Sequence, residues 1–378
     1  MGNWKLLGEF RTALERAVEH RPLPASWADP RRAATAADHL SLLLFGLLNP
    51  VLQGLRALSA ASVLARVQRE VCGVRISRSG LSEAQHLLEP ALLARVFADL
   101  SAARPPPRPD DPLGWLAGWR ARDSTVLAAL PRMAWAVYGG GRPGAQPCRA
   151  GRLHLELDLH GDAPGPVQIT PGKTSEPAVW ARTVRPGDRT VADRGYGQDL
   201  RQLARLDAQG VRYVVRLRAG VTRTGPEAVP VSAADRAAGV VADQRVTLGQ
   251  RHPVRVRVVT VRRGDTGEEL LLATNLGPER LPGELVSVLY RHRWQVELFF
   301  RWFKCVLGAG RHWPWESAGG VAVQLYLALI AGVLLSQRLG RRPRQREWEL
   351  LQLYFLGWVS PAELHARLAG VAAPRAQG

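Results

Sequence analysis

The chain has 378 residues, with 51 Lys or Arg against 33 Asp or Glu, a formal charge of +18 and a sequence pI near 11.1. That length holds a full core and two or three domains, and that charge points to a polyanionic partner, nucleic acid first and an anionic membrane surface second. Cys72, Cys148 and Cys305 are odd in number and lack paired spacing, so neither a disulfide framework nor a zinc site is indicated; with no secretory pattern at the N-terminus, a cytoplasmic protein is expected.

Residues 1–104 read as a helical N-terminal domain rich in Ala, Leu and Arg. Within it, 60–71 and 81–100 carry helical patterns separated by a turn at Gly73. That arrangement fits a DNA-binding helix-turn-helix or any all-α packing unit. Two apolar stretches, 42–55 and 318–336, approach the composition of membrane spans. The first is short and broken by Asn49-Pro50, the second is interrupted by Gln324, and both read as buried helices, so no membrane association is expected. A stiff proline-rich run at 104–109 opens a linker, residues 105–120.

The period then changes. Strands are expected at 124–130, 153–159 and 167–170, a helix at 175–183, a strand at 190–192, a helix at 199–208 and a strand at 212–218. Strands first, then alternating helix and strand, imply an α/β fold with a mixed sheet and helices on its faces. This is the first part of a core, residues 121–218. Residues 219–275 read as a β-rich basic insert, because 201–263 hold thirteen arginines against four carboxylates. In Val254-Arg255-Val256-Arg257-Val258, alternation puts both arginines on one strand face, suited to tracking a phosphate backbone. A β-subdomain with a solvated basic face gives the same pattern. Residues 276–340 complete the core, and 341–378 form a helical C-terminal segment.

Read as a helix, 288–307 places Tyr290, Arg293, Glu297 and Lys304 within about a 60° arc at roughly 100° per residue. Val288, Phe299, Phe300, Phe303, Val306 and Leu307 fall on the other side. A phenol, a guanidinium, a carboxylate and an ammonium in one stripe suit a phosphate held beside a metal. An amphipathic helix with a solvated charged face would look alike. The chain, however, uses only three lysines, Lys5, Lys173 and Lys304. A lysine at the end of the stripe, where arginine is the default cation, suggests a need for a compact point charge.

Asp123, in Arg122-Asp123-Ser124-Thr125, is expected at the start of the first core strand, and Asp193, in Asp193-Arg194-Gly195-Tyr196, at the end of the fourth. Together with Glu297 they make three hard-oxygen donors that could converge on two divalent cations. The order Asp, Asp, insert, Glu on strand, strand and helix is what a ribonuclease-H-like sheet requires.

From about residue 35 to about residue 340 the chain resembles the IS4 group of DDE transposases of bacterial insertion sequences. Tyr290, Arg293, Glu297 and Lys304 match that group's Y-R-E-K signature, and Asp123 and Asp193 resemble its two catalytic aspartates. The resemblance implies an RNase-H-like catalytic core and two Mg²⁺ ions, replaceable by Mn²⁺, held by Asp123, Asp193 and Glu297. It also implies metal-dependent excision and strand transfer through a hairpin intermediate by a nucleoid-associated synaptic homodimer. The partners it implies are double-stranded DNA, both terminal inverted repeats and target. Tyr290, Arg293 and Lys304 would hold phosphates; Trp294, Arg301, Arg255 and Arg257 are further expected DNA contacts, with Trp313 and Trp315 as rivals of Trp294. Many relatives carry a His-Asp pair where this chain has Thr174-Ser175-Glu176, and no role is expected of that turn. A DDE-type nuclease without strand transfer, or an inactive DNA-binding relic, would share these residues.

Overall fold

The computed structural model describes residues 5–20, 27, 32–102, 110–129, 133–139, 148–305 and 314–372. Residues 105–109 of the expected linker lie outside these, as do Val306, Leu307 and Trp313. Helices α1 (Lys5–His20), α2 (Ala36–Leu48), α3 (Leu55–Ala61), α4 (Ala65–Val67), α5 (Arg78–Leu87) and α6 (Pro90–Ala102) come first. Strands β1 (Trp119–Ala128), β2 (Val137–Gly139), β3 (Cys148–Asp158) and β4 (Ala163–Pro171) follow. Next are α7 (Glu176–Thr183), β5 (Arg189–Ala192), α8 (Leu200–Ala208), β6 (Arg212–Arg216), β7 (Arg223–Ala228), α9 (Ala233–Ala237), β8 (Val240–Leu248), β9 (Val254–Arg262) and β10 (Glu269–Thr274). Helices α10 (Gly283–His292), α11 (Trp294–Cys305), α12 (Ala318–Leu339), α13 (Gln345–Phe355) and α14 (Pro361–Ala372) come last. The chain divides into two compact units, one of residues 1–104, 127–151 and 300–378, the other of residues 105–126 and 152–299.

The first unit is helical and built around α12, against which α1, α2 and α6 pack. Among the described residues α12 is the one helix long and apolar enough to cross a membrane, and most of it is buried. Its interrupting Gln324 is satisfied locally, donating to the carbonyls of Trp315 and Gly320 at 3.0 Å each. A capping box opens α2: Thr35 Oγ1 accepts from Asp38 N, and Asp38 Oδ2 accepts from Thr35 N. Two helices differ from the sequence pattern. The run at 81–100 is two helices, because Pro90 cannot continue the first and instead starts α6. The run at 60–71 breaks after Ala61, where Ser62 Oγ donates to the Ser59 and Ile76 carbonyls; a π turn at Gln68–Cys72 then ends on Gly73 at φ 61°.

The second unit holds a mixed sheet with strand order β3-β1-β5-β6-β10-β9-β8-β7, β4 pairing with β3. β5 lies parallel between β1 and β6, while β10, β9, β8 and β7 continue antiparallel from β6. The strands of the segment expected as a β-rich insert continue the same sheet from β6. One sheet face is covered by α8, whose Leu203 and Leu206 are buried with Tyr213, Val215, Val256 and Val258. Asp199 caps α8 by accepting from the amides of Arg201 and Gln202. β1 begins five residues earlier than its sequence pattern suggests, so Asp123 is its fifth residue and not its first.

Candidate active site

Parallel pairing of β1 with β5 runs from Trp119 opposite Arg189 to Arg122 opposite Ala192. β5 stops there, and the next residues along the two segments are Asp123 and Asp193. Each aspartate is thus the residue that follows the last paired position of its strand. Such an end, where helix and strand connections open a crevice, is where α/β sheets bind ligands.

The turn after Asp193 is tight for reasons visible in its glycines. A Cβ on Gly197 would overlap the carbonyl oxygen of Arg216 on β6, and one on Gly195 would stand 3.0 Å from Glu176 Oε2. Tyr196, the residue between them, is buried edge-on against Trp180 of α7, with ring centroids 5.4 Å apart.

The third element is the helix pair α10–α11. The expected single helix is interrupted at Arg293, whose amide donates to both Leu289 and Tyr290 carbonyls, while Val296 N donates back to the Arg293 carbonyl. This is a local tightening to i, i+3 bonds. Tyr290 donates its hydroxyl to Asp193 Oδ1 at 3.0 Å. Burial and the Asp193 charge push the Tyr290 pKa up to about 12, so the phenol stays a donor. The Arg293 guanidinium carbon lies over the Tyr290 ring, 5.5 Å from its centroid, with Nη2 2.5 Å from Glu297 Oε1 and Nη1 3.7 Å from Asp123 Oδ2. Arg293 is buried, yet its Nε and Nη1 have no hydrogen-bond partner.

Asp123 is unusual among the three carboxylates. Its Oδ1 accepts from Ser124 N at 2.8 Å. Burial, with added repulsion from Glu176 and Glu297, pushes its pKa up to about 7 despite Ser124 N and Arg293. Burial is the main cause, and the neighbouring Arg293 only partly offsets it. Among the described residues no three carboxylates, histidines or cysteines are close enough to hold one metal ion. Asp123 and Asp193 each follow the last paired residue of β1 and β5, and Glu297 is paired with Arg293; the three are not drawn into one cluster. The donor set still fits a hard divalent cation, since all three are carboxylates. The guanidinium of Arg293 fills the space between Asp123 and Glu297, and its two unpartnered nitrogens are the donors a phosphate oxygen would take.

The other expected contacts differ in exposure and in what they bond. Lys304 is half-buried on the part of α11 that belongs to the first unit, and Arg301 is exposed on the same helix. Trp294 is 48% exposed. Trp315 is corrected as a candidate for reaching DNA: it is fully buried, and its indole Nε1 donates to the Leu81 carbonyl at 2.7 Å. Arg255 is exposed and bonded to both oxygens of Glu227. Arg257 is corrected outright. It is buried, its fork is taken by both oxygens of Asp243, and Nη1 donates to the carbonyls of Leu276 and Leu281. Strand alternation put both arginines on one face correctly, but the chain after β10 covers that face at Arg257 and not at Arg255.

Behind Asp123, between the sheet and α7, a small cavity of about 30 Å³ is lined by His154, Glu156, Glu176, Trp180 and Tyr196 among others. His154 Nε2 meets Thr170 Oγ1 at 3.0 Å. Burial, then the charge of Arg152, lowers the His154 pKa from 6.5 to about 4, so the ring is neutral. Between pH 6.5 and 4 the unfolded chain binds a proton here that the native state does not, and stability is lost as pH falls. Asp123 opposes this, because from about pH 7 down to 4 the native state binds the extra proton. His154→Gln should therefore improve stability at pH 4.5 relative to pH 7 by up to about 3 kcal/mol. Denaturant unfolding at both values checks it, and an unchanged difference would show that His154 titrates normally.

Residues 118–334 match the model of the family described as transposase DDE domain. The protein y4zB of Sinorhizobium fredii (strain NBRC 101917 / NGR234), named as a transposase, is 28% identical over 301 residues, 73% of this chain and 80% of that one. The protein named as transposase for insertion sequence element IS5377 of Geobacillus stearothermophilus is 28% identical over 215 residues, 56% of this chain and 54% of its own. The transposase for insertion sequence element IS231D of Bacillus thuringiensis subsp. finitimus is 32% identical over 102 residues, 26% of this chain and 21% of its own. The family match covers more than half of the chain and includes both strand-end aspartates and the α10–α11 pair that carries Glu297, so the chain belongs to the DDE transposase family, enzymes that act on DNA with divalent metal ions.

Proposed function

We propose that this chain is an IS4-group transposase that excises an insertion sequence and joins it to target DNA, with an RNase-H-like core in which Asp123, Asp193 and Glu297 hold Mg²⁺. The observation that supports the reading is the register of β1 and β5, whose parallel pairing ends at Arg122 and Ala192, the residues just before Asp123 and Asp193. Order β4-β3-β1-β5-β6, with β1, β5 and β6 mutually parallel, supports the core assignment. When bound, the divalent ions supply activation of the attacking oxygen and neutralisation of charge on the leaving one.

The chain's own residues do the rest. Tyr290, held by Asp193, fixes that carboxylate's orientation. Arg293 gives up Glu297 and turns Nη1 and Nε to a DNA phosphate, which frees Glu297. Lys304 and Arg301 meet phosphates further along the strand, Trp294 packs against the DNA end, and Arg255 adds a distal phosphate contact. Water attacks first, at the transposon end. The liberated 3′-hydroxyl then forms the hairpin and, after its reopening, attacks the target. Two copies of the chain pair the two ends in a synaptic complex.

The test is single-turnover cleavage and strand transfer with duplexes carrying the terminal repeats that flank the gene, in Mg²⁺ and in Mn²⁺. Joined target products support the transposase, and cleavage without joining would leave the nuclease. Lys304→Arg is the discriminating variant. If the Lys304 ammonium only meets solvent, exchange for arginine should change stability by less than about 0.5 kcal/mol, but a planar fork does not replace a point charge on a phosphate. Cleavage or transfer should fall at least about tenfold with an unchanged melting temperature. Wild-type rates would return Lys304 to the solvated surface.

A further inference from the structure

Glu176 opens α7 directly after its capping Ser175, whose Oγ accepts from Ala178 N at 3.3 Å. A carboxylate in the first turn suits the helix dipole, but this one is engaged well beyond its own helix. Its Oε1 accepts from Ser124 Oγ at 2.5 Å and from Arg152 Nη1 at 3.1 Å, and Arg152 Nη1 also reaches Ser124 Oγ at 3.0 Å. Arg152 is itself tied to β4's end, Nε donating to the Gly172 carbonyl. Its other oxygen, Oε2, lies against Gly195, where an added Cβ would stand 3.0 Å away. Ser124 is the residue after Asp123, and Gly195 is two residues after Asp193.

From these contacts we infer that Glu176 is a positioning residue for the reaction: its carboxylate is wedged between the two strand ends that carry Asp123 and Asp193 and sets their separation. The inference rests on reading those aspartates as the metal-holding pair. Glu176 is not itself placed to act on substrate, since Oε1 is filled by two donors and Oε2 faces backbone. A charge-assisted hydroxyl bond is the stronger kind, and it is made to the one side chain whose amide also holds Asp123 Oδ1. A shift of either aspartate by a fraction of an ångström changes the bite offered to a cation, and residues that orient ligands typically matter 10- to 100-fold for metal affinity or activity. The wedge also explains why the Asp-Arg-Gly-Tyr turn has glycine at a position with ordinary backbone angles, φ −56°. The constraint there is room for Glu176, not conformation.

The test uses the full chain bound to a duplex carrying its terminal repeat, with Mn²⁺ binding read by electron paramagnetic resonance beside single-turnover cleavage, duplex Kd and melting. Glu176→Gln should weaken Mn²⁺ binding and slow cleavage by about 10- to 100-fold, leaving duplex Kd within about twofold. Glu176→Asp, charged but one methylene too short to touch both Ser124 and Gly195, should be impaired as much. Gly195→Ala should reproduce the loss in the wild-type background and add nothing to Glu176→Ala, which vacates the space. Wild-type Mn²⁺ affinity and rate in folded Glu176→Gln, or a Gly195→Ala effect that persists undiminished in Glu176→Ala, would overturn the inference and leave an ordinary Arg152–Glu176 ion pair. Should Glu176→Gln not fold, Ser124→Ala reads the same quantities: a parallel loss supports the wedge, and wild-type values reject it. Asp123→Asn separates the two levels. If that variant cleaves, the reading of the aspartates has failed; if it is dead while Glu176→Gln is wild type, only the wedge has.

Discussion

Asp123→Asn, Asp193→Asn and Glu297→Gln should each lower metal-dependent cleavage by at least about 10³-fold, some 4 kcal/mol on the barrier, while terminal-repeat binding changes little. Each amide keeps the shape of its carboxylate and removes the charge a divalent cation needs. The three should differ in folding, which makes the comparison more than a loss of activity. Asp123→Asn removes a recessed carboxyl whose pKa is pushed to about 7, so the metal-free variant should be no less stable than wild type at pH 7 and above. Asp193→Asn keeps an oxygen to accept the Tyr290 hydroxyl and should melt near wild type. Glu297→Gln takes the charged partner from a buried guanidinium and should cost stability. Single-turnover cleavage with thermal melting in metal-free buffer reads all of this. A rate within tenfold of wild type in any variant removes that residue from the site.

Much of this site could be read in the sequence because its parts are local. The stripe Tyr290, Arg293, Glu297 and Lys304 follows from helical spacing alone, and the Asp-Arg-Gly-Tyr turn marks a strand end. Strand alternation placed Arg255 and Arg257 on one face. What could not be read is tertiary. Nothing in the spacing of Ser175-Glu176-Pro177 beyond a helix start shows that α7 brings its first carboxylate to Ser124, 52 residues earlier. Nor does the pattern at 288–307 reveal the tightened turn at Arg293, since a single i, i+3 step leaves the apolar period intact. The basic segment at 201–263 was misleading in a simpler way. Its charge count holds, but Arg216, Arg255, Arg257, Arg262 and Arg263 each face a carboxylate that the sheet or its turns bring alongside. Net charge survives folding while the number of unengaged guanidinium groups does not.

Arg257 shows how far apart two arginines on one face can be. Arg257→Ala would leave Asp243, whose side chain is 2% exposed, charged and unpaired, at a cost of about 3–5 kcal/mol. In a unit of this size that is a fall in melting temperature on the order of 10 °C. Arg255→Ala removes a pair whose members are 65% and 57% exposed, and surface pairs contribute about 0–1 kcal/mol. Its melting temperature should barely move. DNA binding reverses the order: if Arg255 meets a phosphate, Arg255→Ala reduces the slope of log affinity against log salt by about one unit, while folded Arg257→Ala keeps the wild-type slope. The double replacement Arg257→Met with Asp243→Leu tests the origin of the cost. Apolar residues of similar volume remove both desolvation penalties at once, so the pair should recover most of the stability that Arg257→Ala loses. Recovery cannot be complete, because the Leu276 and Leu281 carbonyls lose their donor. A double variant no more stable than Arg257→Ala would mean that those two carbonyl bonds, which tie β9 to the chain leading into α10, matter more than the ion pair.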